Sequence, residues 1–147
     1  MYKRGETWFL VPPSMKITLR GKLRSGVYAK DISLWIIGKI GTDGANYMSI
    51  EYHGEGVKTL SISERMTLAN LASEMGAKNA VFPADEVLEK FLGKDMRPGV
   101  WADADAKYAA ELEINLDELF PVVAAPHTVE NIKAVSEVEG TPIQEAV

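Results

Sequence analysis

Segments with the period of a strand alternate with segments with the period of a helix through the first two thirds of this 147-residue chain. This order restricts the fold more than any single motif does. Residues 15–20 alternate apolar with polar side chains, as a half-buried strand does. Residues 30–40 follow with apolar side chains around much of a helix. The alternation predicts an α/β domain in which helices pack on a mixed sheet.

The pattern continues along the chain. Pro12 and Pro13 favour extended backbone, so residues 1–14 are predicted to be an extended lead-in to one domain that spans residues 1–147. Gly38 lowers the helix propensity by about 1 kcal/mol, which indicates that another backbone approaches the first helix closely. Further strands are predicted at residues 46–54, 79–82 and 108–116, and further helices at residues 63–77 and 85–92.

Composition excludes several classes of protein. The net charge is −5 and no basic run occurs, which argues against nucleic acid as the main partner. The chain contains no cysteine, so it offers no disulfide, thiolate metal ligand or cysteine nucleophile. No apolar run reaches the roughly 18 residues of a membrane helix, and no signal peptide is visible. These features predict a soluble, cytoplasmic protein without a membrane partner.

The helix predicted at residues 63–77 has clear signals at both ends. Ser61 or Ser63 can cap it, because a hydroxyl there accepts from backbone N–H groups of the first turn. Glu64 places a negative charge near the positive end of the helix dipole. Gly76 lies where a helix of this length would end.

The surface of this helix is unusual, because beyond Arg65 it carries mostly small or apolar side chains and no Lys or Arg until Lys78. The composition predicts a mostly buried helix that presents an amide and an acid to something polar. An acid in the last turn could also simply reach solvent or pair with Lys78. The polar side chains recur four, three and four residues apart and so share one stripe: Ser63, Thr67, Asn70 and Glu74.

Other candidate sites are weaker. His53 and His127 are the only histidines, and a zinc site needs more ligands than these, so structural roles are favoured for both. Glu111 and Glu113 share one face of a predicted strand; paired carboxylates can perform acid–base chemistry, but a solvated edge strand is favoured. The glycines between residues 38 and 56 match neither a dinucleotide fingerprint nor a Walker loop.

A series of segments along the chain carries a family resemblance. These segments are residues 5–12, 16–23, 29–32, 38–41, 43–46, 50–54, 68–77, 126–131 and 138–143. Together, and in this order, they resemble the aconitase superfamily, and especially the large subunits of 3-isopropylmalate dehydratase and homoaconitase. The resemblance covers essentially the whole chain and implies an aconitase-like α/β/α domain.

The resemblance implies a role for the polar stripe. These enzymes use a [4Fe–4S] cluster as a Lewis acid to dehydrate and rehydrate a hydroxy-polycarboxylic acid, in leucine biosynthesis among other pathways. The family's N-x-x-x-E motif matches Asn70 and Glu74. Glu74 is thereby implied as a catalytic residue, hydrogen-bonded near the open iron and its bound water or the substrate hydroxyl. Asn70 is implied to be catalytic as well and to lie beside the cluster without ligating it.

Departures from the family are equally informative. The three cluster cysteines, the N-terminal lobe with its active-site histidines, and the substrate arginines are absent from the sequence. The resemblance therefore implies a middle portion of a large subunit that holds no cofactor or metal itself and is inactive alone. Its implied partners are the remaining lobes, a small subunit that carries substrate-recognition residues, and a small hydroxy acid.

Two alternatives remain open. The missing cysteines also suit a stand-alone, non-catalytic module derived from this fold, which binds small acids or serves in assembly. Apolar surface that other lobes would normally cover could instead bind a protein partner.

Overall fold

The structure is a computed structural model, and it describes residues 5–93, 97 and 99–145. Strands are β1 Ser14–Arg20, β2 Ser49–His53, β3 Asn79–Val81, β4 Ala110–Asn115, β5 Val122–Ala124 and β6 Ile132–Ala134. Helices are α1 Ala29–Ile40, α2 Ile62–Leu71 and α3 Glu86–Leu92. Short 3₁₀ turns occupy Glu55–Thr59, Ala72–Met75, Leu116–Glu118 and Val135–Glu137.

The main sheet has the order β3-β2-β1-β4, and all its neighbouring strands are parallel. Met15 at the centre lies opposite Ile50 on one side and Ala110 on the other. Strands β5 and β6 pair antiparallel in a separate two-stranded sheet. The prediction of an α/β domain is confirmed, and the parallel and antiparallel pairs belong to different sheets.

The core lies between one face of the main sheet and helices α1 and α2, which contact each other. Alternate side chains of β1 point into it, and Ile17 and Leu19 are fully buried. The opposite face of the sheet carries a polar row across three strands, formed by Lys16, Glu51 and Glu111. The period-2 pattern of β1 thus predicted correctly which side chains enter the core.

The small sheet is attached to α1 rather than to the main sheet. Asp31, which is nearly buried, accepts a hydrogen bond from the backbone N of Val122 at 2.9 Å and one from the backbone N of Tyr28 at 2.7 Å. At Gly38, a Cβ would lie only 2.8 Å from the side chain of Ile132. The close approach predicted at Gly38 therefore exists, but the nearest atoms belong to a side chain, and the backbone oxygen of Glu130 would be 3.9 Å away.

Two strands begin later than predicted. Strand β2 begins at Ser49 rather than at residue 46, because residues 42–47 form turns and Tyr47 has a φ of 61°, which no strand accommodates. Strand β4 begins at Ala110 rather than at residue 108.

Residues 5–13 form neither helix nor strand, as the two prolines predict. Residues 1–4 of the predicted lead-in and residues 146–147 of the predicted domain lie outside the described residues. Within the described chain, no helix has the length and apolar character needed to cross a membrane.

Candidate functional site at the end of helix α2

Helix α2 begins with a capping box. The backbone N of Glu64 donates to the Ser61 hydroxyl at 3.3 Å, and the Glu64 carboxylate accepts from the Ser61 backbone N at 2.7 Å. This decides between the two candidate caps in favour of Ser61. The helix tightens into the 3₁₀ turn Ala72–Met75 and ends at Gly76, whose φ is 79°. Both predicted ends are confirmed.

A buried arginine anchors the first turn of α2. Arg65 is 3% exposed and donates to the two carboxylate oxygens of Asp85 at 2.8 Å each. It also donates to the carbonyl oxygens of Val57 at 2.9 Å and Leu60 at 3.3 Å. Burial alone would raise the pKa of Asp85, but the hydrogen bonds from Arg65 and from the Leu88 backbone lower it overall.

The sequence reasoning missed Arg65, although a signal was present. The residues that face the core from this segment are Arg65, Leu68, Ala72 and Met75. They are three, four and three positions apart, which is the spacing of one helical face. An arginine in register with that apolar row should have been assigned a buried acidic partner.

The prediction of a mostly buried helix is wrong. Within α2 only Arg65 and Leu68 are buried, and Met66 is 64% exposed. The helix touches its neighbours along one narrow row, so its small side chains do not imply burial. The predicted stripe lies on the open side, where Ser63, Asn70 and Glu74 are exposed and Thr67 is half-buried.

The turn that carries Glu74 is held by the loop of residues 45–47. The backbone N of Ala45 donates to the carbonyl oxygen of Met75 at 3.0 Å, and the backbone N of Tyr47 donates to that of Gly76 at 3.0 Å. A Cβ on Gly76 would lie 3.1 Å from Asn46 Cα. The carbonyl groups of the two residues after Glu74 are thus both hydrogen-bonded, which anchors the turn that carries Glu74 to the 45–47 loop.

Tyr47, on the loop side of this contact, has a strained backbone conformation. Its φ of 61° is rare for a bulky residue. The hydroxyl donates to the Leu10 carbonyl oxygen at 3.3 Å, and Lys78 Nζ lies 4.6 Å from the ring centroid. Strain of this kind persists where the surroundings over-determine it, and it is frequent at functional sites.

The side chains of Asn70 and Glu74 form no hydrogen bond or ion pair with any described residue. The neighbouring Ser73 hydroxyl donates to the backbone carbonyl oxygen of Asn70 at 3.0 Å. It forms no hydrogen bond with the side-chain amide of Asn70. A carboxylate accepts from hydroxyl groups or water, and an amide both donates and accepts. The stripe therefore presents two unused polar groups on a fixed support.

The histidines are not brought together. His53 lies at the end of β2, with its Nε2 3.5 Å from the Glu51 carboxylate and 3.3 Å from the Tyr108 hydroxyl. The Tyr108 hydroxyl also donates to Glu51 at 3.1 Å. Desolvation, and after it this hydrogen bond, raises the pKa of Tyr108. His127 is exposed in the loop before β6. The sequence reasoning did not single out Glu51 or Tyr108.

Glu111 and Glu113 lie on the edge strand β4 and are exposed, as favoured from the sequence. The Arg20 guanidinium donates to Glu113 at 2.7 and 3.1 Å, and this hydrogen bonding lowers the pKa of Glu113. Lys16 Nζ lies 3.8 Å from the Glu111 carboxylate. The two acids pair with separate cations, which does not suit shared acid–base work.

The sequences of known proteins identify the family of this chain. A model of the aconitase family (aconitate hydratase) matches residues 3–147. The chain belongs to the aconitase family. The 3-isopropylmalate dehydratase large subunit 2 of Archaeoglobus fulgidus is 45% identical over 145 residues, which are 96% of this chain and 35% of that protein. The large subunit 1 of the same enzyme from Methanopyrus kandleri is 46% identical over 149 residues, 99% of this chain and 35% of that protein.

A homoaconitase relative shows the same partial overlap. The probable methanogen homoaconitase large subunit of Methanosarcina mazei is 43% identical over 148 residues, 99% of this chain and 38% of its own length. This aconitase-family chain thus spans about a third of the length of the curated relatives that it matches. The resemblance noted from the sequence is confirmed.

The family implies a [4Fe–4S] cluster, and the residues present do not fit its ligand set. Such clusters are held by cysteine thiolates, and this aconitase-family chain contains no cysteine. Within the described part of the chain, no three His, Asp or Glu side chains converge as metal ligands. Asn70 and Glu74 can face a site but cannot hold a cluster in it.

Proposed function

We propose that this chain is a middle segment of the large subunit of a hydro-lyase, which isomerises a hydroxy-polycarboxylic acid by dehydration and rehydration as a 3-isopropylmalate dehydratase does. About 45% identity to such subunits over nearly the whole chain supports this. The proposed setting is cytoplasmic, with leucine biosynthesis as the pathway. The remaining lobes and a small subunit complete the site.

Glu74 is the proposed catalytic residue. The observation that carries this role is its free, exposed carboxylate on a turn whose following peptide groups are fixed by the 45–47 loop. In that position the carboxylate accepts a hydrogen bond from the hydroxyl group that leaves, or from the water that enters. Asn70, on the same face, orients the same polar group through its amide. Fixed placement matters, because misplacement of about 1 Å can cost 10²-fold in rate.

Substitution in the complete enzyme tests this role. In the full-length large subunit assembled with its small subunit, Glu74→Gln is expected to lower kcat by about 10²- to 10⁴-fold, with little change in KM and in iron content. Glu139→Gln, which removes the same charge from an exposed position, serves as the control and should retain turnover. Near-wild-type turnover of the Glu74 variant would refute the assignment.

The exposed apolar side chains near the start of the chain support contact with other lobes. Trp8, Phe9 and Val11 are 85%, 83% and 84% exposed, far more than isolated surface side chains of a monomer require. Sedimentation of the chain over a range of concentrations tests this, and self-association at high concentration is expected. A strict monomer would argue against a contact surface there.

A second candidate function is a stand-alone, non-catalytic module that binds small acids. The observation in its favour is the complete absence of cysteine from a chain that nevertheless builds a buried core. Calorimetric titration of the chain with isopropylmalate, citrate and homocitrate distinguishes the two functions. Saturable heat would support the module, whereas no heat with any of the three acids would contradict it.

A further inference from the structure

A cavity of about 580 Å³ opens where strand β2 extends beyond its neighbour β3. Pairing between them ends with Glu51 opposite Val81, so Tyr52 and His53 continue past the last residue of β3. The carboxyl ends of parallel strands are a preferred place for small ligands in α/β proteins. Neither Asn70 nor Glu74 lines this cavity, so it is separate from the site proposed above.

The walls offer a flat apolar surface. The rings of Tyr52 and Phe82 stack with centroids 4.4 Å apart and an angle of 6° between their planes. Val57 is fully buried beside them, and Trp101 lies at the rim with 59% of its surface exposed. A flat apolar ligand packed against this wall would remove the exposed indole of Trp101 and the neighbouring apolar surface from water.

The charged groups around the cavity are predominantly acidic. Glu51, Glu86 and Glu89 line it, against Lys58 as the basic residue. Asp85 also lines it, but Arg65 already neutralises that carboxylate through two hydrogen bonds. Glu86 and Glu89 belong to the first turn of α3 and form no ion pair within the described part of the chain. The balance favours a cation over an anion.

The wall also includes a tyrosine whose hydroxyl lies out of reach. Tyr52 is 2% exposed, and its hydroxyl is closed off from solvent and has no hydrogen-bond partner among the described residues. The flat apolar wall and the acidic balance, and not this hydroxyl, therefore indicate which ligand fits the cavity.

We propose that this cavity binds a small organic cation, a protonated amine carried on a flat apolar body. The body packs beside Phe82 and Trp101, and the ammonium group is attracted by Glu86 and Glu89. Ammonium groups also gain from facing aromatic rings. The proposal does not depend on hydro-lyase activity, since none of these residues belongs to the α2 stripe.

Three probes of one shape and different charge test the site. The ¹⁵N-labelled chain is titrated with 2-phenylethylammonium, 3-phenylpropionate and 2-phenylethanol while amide and indole NMR signals are followed. The ammonium probe is expected to shift the signals of Gly54, Val81 and Trp101 saturably and to bind about tenfold more tightly than the anion. Equal binding of the three probes, or no shift with any of them, would overturn the proposal.

Variants test the charge effect. The double substitution Glu86→Gln/Glu89→Gln is expected to weaken binding of the ammonium probe by about three- to tenfold. Tyr52→Phe should leave binding unchanged, because the hydroxyl that it removes is closed off from the cavity. Glu139→Gln changes net charge outside this cavity and should have no effect; an equal loss with it would refute a local site. Glu74→Gln should not change binding of the ammonium probe, because Glu74 does not line the cavity. The result therefore does not depend on whether Glu74 is catalytic.

Discussion

Helices α1 and α2 lie side by side against the same sheet, yet they are held in different ways. Around α1, Ile32, Ile36 and Ile37 are fully buried, and its position follows from apolar burial. Helix α2 buries only Arg65 and Leu68 and depends on polar contacts: a capping box at its start, an ion pair in its first turn and hydrogen bonds from residues 45–47 after its end. Anchoring by the ends leaves one side of α2 free, which is what a functional face requires.

The largest effect is expected when the buried Arg65 is removed. Arg65→Ala should destabilise the chain by about 3–5 kcal/mol, because it leaves Asp85 as an unpaired carboxylate in a nearly buried place. Urea unfolding followed by circular dichroism measures it. Arg65→Met combined with Asp85→Asn removes both charges, keeps a side-chain acceptor for the Leu88 backbone N and should lose less than Arg65→Ala. If the double variant loses as much, the ion pair is not what anchors α2.

The matching test on α1 is Ile37→Ala. Deletion of a fully buried aliphatic side chain is expected to cost about 2–4 kcal/mol through lost burial and the remaining cavity. The same unfolding experiment applies, with Lys39→Ala at the more exposed side of α1 as the control. A cost below about 1 kcal/mol would mean that apolar packing does not dominate α1.

A smaller effect is expected where α2 ends. Gly76→Ala should destabilise by about 1–2 kcal/mol, because a φ of 79° is unfavourable for alanine and the new Cβ would meet Asn46 Cα at 3.1 Å. Gly26→Ala is the matched control, since its φ is 84° but its surroundings are open. A larger loss at Gly76 than at Gly26 would measure the contact with the 45–47 loop, and equal losses would argue against it.

The smallest expected effect is a dependence on pH. Since the folded-state pKa of Asp85 is lowered, its contribution to stability is complete above its unfolded pKa of about 3.9 and is lost as pH falls through the lower folded value. Urea midpoints between pH 5 and pH 2 should therefore fall less steeply in Asp85→Asn than in the parent chain. Identical slopes would show that Asp85 carries no acid sensitivity.

Local patterns predicted much of this fold. The alternation in β1, the apolar circumference of α1 and the stop at Gly76 are predicted correctly, and the cap of α2 is one of the two predicted serines, because each depends on neighbours within a few residues. The shared face of Asn70 and Glu74 followed from spacing alone. Strand β2 was extended too far, because the left-handed backbone of Tyr47 depends on contacts with Leu10 and Lys78.

By itself, the sequence determined the order of strands and helices as far as β4, the polar stripe of α2 and the membership of the aconitase family, but it did not predict β5 and β6. Only the tertiary structure decided that α2 lies half exposed, that Arg65 pairs with Asp85 twenty residues away, and that Tyr52 borders an acidic cavity. The reason is physical. Spacing defines which side chains share a face, whereas burial and charge pairing depend on what the rest of the chain places against that face.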